Sequence, residues 1–167
     1  MRIACLGGGP AGLYFAISVK LRQPDVDVTV FERNKPDDTF GWGVVLSDET
    51  LGNLAANDPV SAKAIESHFA YWDDIAVHYR GSKQLSTGHG FCGIGRKQLL
   101  LDLQARAREL GVKLEFEHNV DSVRDFAKDF DLVVASDGLN SATRTEFKDV
   151  FKPDIEMRAC KFVWLGT

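Results

Sequence analysis

Short, wholly apolar runs alternate with longer stretches of helical periodicity from the start of the chain. Ile3-Ala4-Cys5-Leu6 has the composition of a strand buried on both faces, so residues 2–6 read as a parallel strand. Pro10 to about Arg22 reads as its crossover helix, broken at Gln23-Pro24-Asp25. Val26, Val28, Val30 and Phe31 form a second strand that closes at Glu32-Arg33, which completes a β-α-β unit. Asn34 to Asp38 is loop by composition, and an apolar stretch with glycines, Phe40 to Leu46, follows it. Ser47 is placed to cap a helix through about Ala56, and Asp58-Pro59 opens another toward Phe69. Ile75, Val77 and Tyr79 alternate with polar neighbours as a strand does, and a Gly81-Ser82 turn follows. Four glycines in the eight positions from Gly88 to Gly95 imply that the backbone there comes close to something. Leu99, Leu100, Leu103, Ala107 and Leu110 share one face of a helix from Arg96 to Leu110, which Gly111 ends. Val112, Leu114 and Phe116 alternate as a strand, Asp131 to Ala135 is another buried strand, and Lys161 to Leu165 reads as a strand leading out of the domain.

This pattern defines an α/β fold of Rossmann type: a parallel sheet, helices on both faces and a small β insertion. The 167 residues suit one domain, 1–167. A formal charge of −4 argues against a general nucleic-acid surface, and no apolar run is long enough to cross a bilayer. The first motif begins so near Met1 that no leader is expected. Cys5, Cys92 and Cys160 are scattered without a C-x-x-C pair, which fits a reduced, cytoplasmic protein.

Two turns carry candidate chemistry. The first, Gly7-Gly8-Gly9-Pro10-Ala11-Gly12, has the spacing G-x-G-x-x-G between a strand and a helix. Gly7 permits the sharp turn, Gly9 lets a pyrophosphate reach the backbone, and Gly12 allows helix and sheet to pack closely. Pro10 and Ala11 open the helix, whose unpaired N–H groups and positive dipole end favour an anion. Glu32, twenty residues beyond Gly12, is placed to accept hydrogen bonds from a ribose. The second turn, Ser136 to Arg144, leaves a strand through Asp137-Gly138, with Asn140 or Ser141 placed to cap a short helix.

With both turns present, the chain resembles the group A flavoprotein monooxygenases, the para-hydroxybenzoate hydroxylase-like family. Gly7, Gly9, Pro10, Ala11 and Gly12 with Glu32-Arg33 are similar to that family's FAD fingerprint. Asp131 through Arg144, with Asp137 and Gly138, is similar to its Asp-Gly motif, which touches the flavin side and the transient NAD(P)H. Gly95-Arg96-Lys97-Gln98-Leu99 resembles the helix start from which a side chain reaches the FAD phosphates, and this implies that role for Arg96. Phe40 to Ser47 narrows the resemblance to the salicylyl-CoA 5-hydroxylases, the 2-aminobenzoyl-CoA monooxygenases and the indole-ring hydroxylase of violacein biosynthesis. Many para-hydroxybenzoate hydroxylases carry arginines near Trp42 and Val44, so that particular substrate is not expected.

The resemblance implies FAD as cofactor, NADH or NADPH as co-substrate, dioxygen, and a small aromatic substrate, an aryl-CoA thioester or an indole-type ring. It implies that dioxygen adds to reduced flavin at C4a and that the resulting hydroperoxide oxygenates the ring. The alternatives are an NAD-dependent Rossmann dehydrogenase and a non-catalytic dinucleotide-binding module. The family's downstream Gly-Asp motif has no counterpart here, since no Gly-Asp dipeptide occurs. The chain is therefore expected to be the N-terminal part of a longer hydroxylase and inactive alone. Neither a nucleophilic triad nor a metal site is expected. His68, His78, His89 and His118 read as surface or strand histidines, with His89 the one whose glycine-rich loop could approach the flavin. Phe40 and Trp42 read either as lining for the flavin or substrate pocket or as core.

Overall fold

The computed structural model describes residues 1–161 and Val163. In chain order its regular elements begin with β1 (Arg2–Leu6), α1 (Pro10–Arg22) and β2 (Asp27–Phe31). An insertion follows: β3 (Gly43–Leu46), α2 (Asp48–Asn57), α3 (Pro59–Glu66), β4 (Ala70–Trp72), β5 (Ile75–Tyr79), β6 (Ser82–Ser86) and β7 (Phe91–Gly95). The chain then returns to the main sheet through α4 (Arg96–Glu109), β8 (Lys113–Glu115), α5 (Val123–Phe126), a 3-10 turn (Ala127–Asp129) and β9 (Leu132–Ala135), and continues into α6 (Ala142–Glu146) and α7 (Lys148–Phe151).

The main sheet has the order β8-β2-β1-β9 and is parallel throughout. Its register pairs Ile3 with Val28 and Cys5 with Val30, which puts all four side chains on one face. That face meets Leu13, Ala16 and Ile17 of α1 and Leu99, Leu103 and Ala107 of α4, and together they form the core. Complete burial of such aliphatic side chains stabilises the fold by about 1.5–3 kcal/mol each. Burial also pushes the Cys5 thiol up to about 12, so it is inert packing. On the opposite face Phe31 meets Phe126 edge-on at 4.9 Å and Phe130 at 5.8 Å, so α5 and the turn after it cover the second side.

The insertion forms an antiparallel sheet, β3-β7-β4, and a separate β5-β6 hairpin. Its helices start where the sequence places them. Ser47 Oγ accepts from the Thr50 amide to cap α2, and Asp58 accepts from the Val60 amide to cap α3. Asp58 is also 2% exposed and takes a two-pronged ion pair from Arg106, Nε to Oδ2 at 2.8 Å and a terminal nitrogen to Oδ1 at 3.0 Å, which locks α3 to α4.

Several sequence expectations change. The strand at 131–135 is not buried: among the described residues β9 pairs only with β1, and Leu132 is 44% exposed. The glycine-rich stretch ends in β7, the central strand of its sheet. There a Cβ on Gly93 would lie 3.1 Å from the Trp72 ring, so its close neighbour is an indole of the same sheet. Residues 82–86, where only the Gly81-Ser82 turn is expected, form β6, because a hairpin partner can recruit a polar strand such as Ser-Lys-Gln-Leu-Ser. The strand expected at Lys161 to Leu165 falls largely outside the described residues.

Candidate functional site

β1 and β9 are adjacent and parallel, so the turns that leave them emerge side by side at the carboxyl edge of the sheet, where open α/β folds bind ligands. The two turns are in contact. The Ser136 amide donates to the Leu6 carbonyl at 2.8 Å, one step beyond the paired strands, and the Gly7 amide donates to the Phe31 carbonyl at 2.8 Å. Gly7 has φ +104°, and a Cβ there would fall inside the Ser136 carbonyl; only glycine satisfies both conditions. A Cβ on Gly12 would collide with the Gly7 carbonyl and lie 2.5 Å from Ser136 Oγ. A Cβ on Gly9, by contrast, would meet nothing within 4 Å. The first and third glycines are demanded by the fold, whereas the second faces open space.

That space is a cleft of about 210 Å³ lined by both turns. Gly7, Gly9, Glu32, Arg33, Arg96, Asp137 and Gly138 all face it. Gly12 is buried behind the turn, while Pro10 and Ala11 open α1 and do not line the cleft. The start of α1 has Gly9 as its cap residue, with no side-chain capping bond and no acidic residue in the first turn, so its amide end is left for an external anion.

Glu32 is held at both oxygens. Oε2 accepts from the Gly8 amide at 2.7 Å, while Oε1 accepts from the Asn34 amide at 2.8 Å and the Asn34 side chain at 2.7 Å. Its carboxylate therefore braces the glycine turn as well as facing the cleft. Asp137 is likewise turned back on its own loop, where it accepts from Ser141 Oγ at 2.7 Å and from the amide and hydroxyl of Thr143 at 3.0 Å each. Burial pushes this carboxyl up, but those three bonds outweigh it and hold its pKa below the ordinary 3.8. A carboxyl of lowered pKa stabilises the fold fully above its ordinary value and ceases to do so as pH falls through the lowered one. Asp137→Ala is therefore expected to cost about 1–3 kcal/mol at neutral pH. In thermal melts its deficit against wild type should shrink below pH 3.8.

Arg96 begins α4, where a cation is disfavoured by the helix dipole. Its Nε is buried without a partner, as an anion-binding guanidinium would be before its ligand arrives. An open cradle at Gly9, a free helix start and an unpaired guanidinium nitrogen together fit the pyrophosphate of a dinucleotide such as FAD.

The sequence reading missed other lining residues. Phe31, Asn34, His118, Asn119, Ser136 and Thr143 also face the cleft. His118, read as a surface or strand histidine, is exposed, yet it donates its amide to the Glu32 carbonyl at 2.9 Å and packs its ring on Phe31 at 4.9 Å. Its position after a three-residue strand carries no motif. Phe40 lines the cleft at 72% exposure; Trp42 does not line it and is 63% exposed, so neither is core. His89 is not among the lining residues: its Nε2 lies 2.6 Å from Ser86 Oγ and its ring stacks on Phe91. Among the described residues, no group of three His, Cys, Asp or Glu side chains could hold a metal, and no helix is long and apolar enough to cross a membrane.

A parallel sheet with paired ligand turns at its carboxyl edge, a glycine-rich helix start and an acidic residue closing the second strand defines a Rossmann-type dinucleotide-binding fold. No protein-family profile matches the chain. It is 51% identical over 169 residues to salicyloyl-CoA 5-hydroxylase of a Streptomyces species, covering all of this chain and 32% of that protein. It is 34% identical to the 3-hydroxy-4-methyl-anthranilyl-(aryl-carrier protein) 5-monooxygenase of Streptosporangium sibiricum and 30% identical to the protodeoxyviolaceinate monooxygenase of Chromobacterium violaceum. All of this chain is covered in both, with 46% and 45% of those proteins. Among solved structures, 2-methyl-3-hydroxypyridine-5-carboxylic acid oxygenase superposes with a TM-score of 0.60 at 25% identity, over 70% of this chain and 31% of that one. The p-nitrophenol 4-monooxygenase of Pseudomonas putida shares the fold, with a TM-score of 0.70 at 19% identity over 87% of this chain and 42% of that one. The resemblance to the group A flavoprotein monooxygenases thus runs the whole length of the chain, which spans a third to just under half of the curated relatives it matches.

Proposed function

We propose that this chain is the FAD-binding part of an aromatic hydroxylase that consumes NADH or NADPH and acts on an aryl-CoA thioester. The observation that carries the reading is the shared cleft, in which Gly9, the Asp137-Gly138 turn and Arg96, whose buried Nε has no partner, converge. The relative at 51% identity is named for salicyloyl-CoA, which favours an aryl-CoA over the other substrates in the group.

FAD, reduced by the nicotinamide, would supply the activation of dioxygen and the insertion of one oxygen atom into an electron-rich ring. The chain's own contribution is binding and orientation. Gly9 and the start of α1 would hold the pyrophosphate, with Arg96 opposing its charge. Glu32, fixed by Gly8 and Asn34, would accept from ribose hydroxyls, with Arg33 beside it. The Asp137-Gly138 turn would shape the wall along the ribityl side. The substrate half and the remaining flavin contacts would come from polypeptide beyond residues 1–167.

The test is a titration of the chain with FAD and, separately, with NADH, followed by flavin fluorescence and thermal stability. Selective stabilisation by FAD is expected; stabilisation by NADH alone would overturn the reading in favour of a dehydrogenase. Glu32→Ala should weaken FAD by about tenfold, since it removes a charged hydrogen-bond acceptor.

A further inference from the structure

Ser136 opens the second turn and its side chain has no role in the motif, yet it is the residue through which the two turns touch. Its hydroxyl lies 2.9 Å from the Leu6 carbonyl and 3.1 Å from the Gly7 carbonyl, and it donates one proton shared between them. Its backbone amide also donates to Leu6. The space its Oγ occupies is the space a Cβ on Gly12 would need, at 2.5 Å. The third glycine of the fingerprint therefore makes room for a hydroxyl delivered by the second turn, besides letting helix and sheet approach.

Those two carbonyls belong to the turn that would cradle the pyrophosphate, and Ser136 itself lines the cleft. Leu6 keeps its bond from the Ser136 amide in any case, but without the hydroxyl the Gly7 carbonyl would be unpaired beside a phosphate, a repulsion weakly screened at a partly buried site. A hydroxyl proton shared between both oxygens offsets it and sets the spacing of the turns. We propose that Ser136 is a positioning residue that fastens the glycine turn to the Asp-Gly turn and neutralises the Gly7 carbonyl beside the pyrophosphate site. This rests on the reading that the cleft takes FAD.

The role separates from ordinary packing by which half of the ligand feels it. ADP carries the pyrophosphate and adenosine does not, although both present the same base and ribose. Ser136→Ala is expected to weaken ADP and FAD by about three- to tenfold, the worth of one hydrogen bond, and to change adenosine binding by less than about twofold. Ser136→Cys keeps a weak donor in place and should fall between wild type and alanine for ADP; it also serves if the alanine variant does not fold. Equal losses for ADP and adenosine, or no loss for either, would overturn the proposal. Wild-type chain that binds neither ADP nor FAD would overturn the underlying reading and the proposal with it, and that failure is visible without any variant.

Discussion

Alanine in place of Gly9 is expected to leave the apo chain folded and to weaken FAD binding by about ten- to a hundredfold, the equivalent of the roughly 1–3 kcal/mol that an inserted methyl costs in a filled site. The reasoning is steric and local. Gly9 has φ −73°, a value alanine adopts freely, and a Cβ there would meet nothing within 4 Å in the ligand-free chain. The apo melting temperature should therefore hold or rise slightly, because alanine restricts the unfolded chain more than glycine does. The methyl would project where the backbone must lie against a pyrophosphate. Gly7→Ala is the informative contrast. Alanine at φ +104° is strained, and its Cβ would fall inside the Ser136 carbonyl, so folding itself should suffer. Melting curves with and without FAD separate the two cases. A Gly9→Ala chain that binds FAD as wild type does would remove the pyrophosphate from this turn.

That contrast also marks what could be read in the sequence. The G-x-G-x-x-G spacing placed the turn, the helix and Glu32 correctly, because each is dictated by local backbone geometry and a fixed distance along the chain. The start of α4 at Arg96 was legible for a similar reason: apolar periodicity begins there, just after a glycine. What the sequence did not show is what arrives from afar. Ser136 meets Leu6 across 130 positions, and His118 reaches the cleft only because β8 pairs with β2. The edge position of β9 was hidden as well, since an apolar run of four looks the same with one strand neighbour as with two. Asp58 is the clearest case. It reads as a helix cap before a proline and is one, yet its larger role depends on Arg106, which no local pattern links to it.

Removing that partner is expected to have the largest effect on stability. Asp58→Ala should cost about 3–5 kcal/mol, because it strands a guanidinium that is only 12% exposed. Glu109 still touches Arg106 at 2.9 Å, but it is 65% exposed and cannot replace a buried two-pronged acceptor. Against a typical stability of about 5–15 kcal/mol, this loss approaches unfolding. Asp58→Asn keeps one acceptor oxygen, for either the Val60 amide or the Ser61 hydroxyl, so it should lose less than alanine. Burial alone would raise the Asp58 pKa, but Arg106, Ser61 and the Val60 amide outweigh it and hold it below 3.8. The pair's contribution is therefore complete at neutral pH, and it fades only as pH falls through that lowered value. Urea midpoints should show a large gap between wild type and Asp58→Ala at pH 7 that closes in acid; urea is preferred because guanidinium salts screen the pair. The effect should also reach the cleft. Arg106 sits on the helix that starts at Arg96, so loosening α3 from α4 loosens the helix that brings Arg96 to the cleft. Asp58→Ala chain that remains folded should therefore bind FAD more weakly, although Asp58 itself does not line the cleft. Unchanged FAD affinity in a folded Asp58→Ala chain would show that α4 is held in place by its apolar face alone.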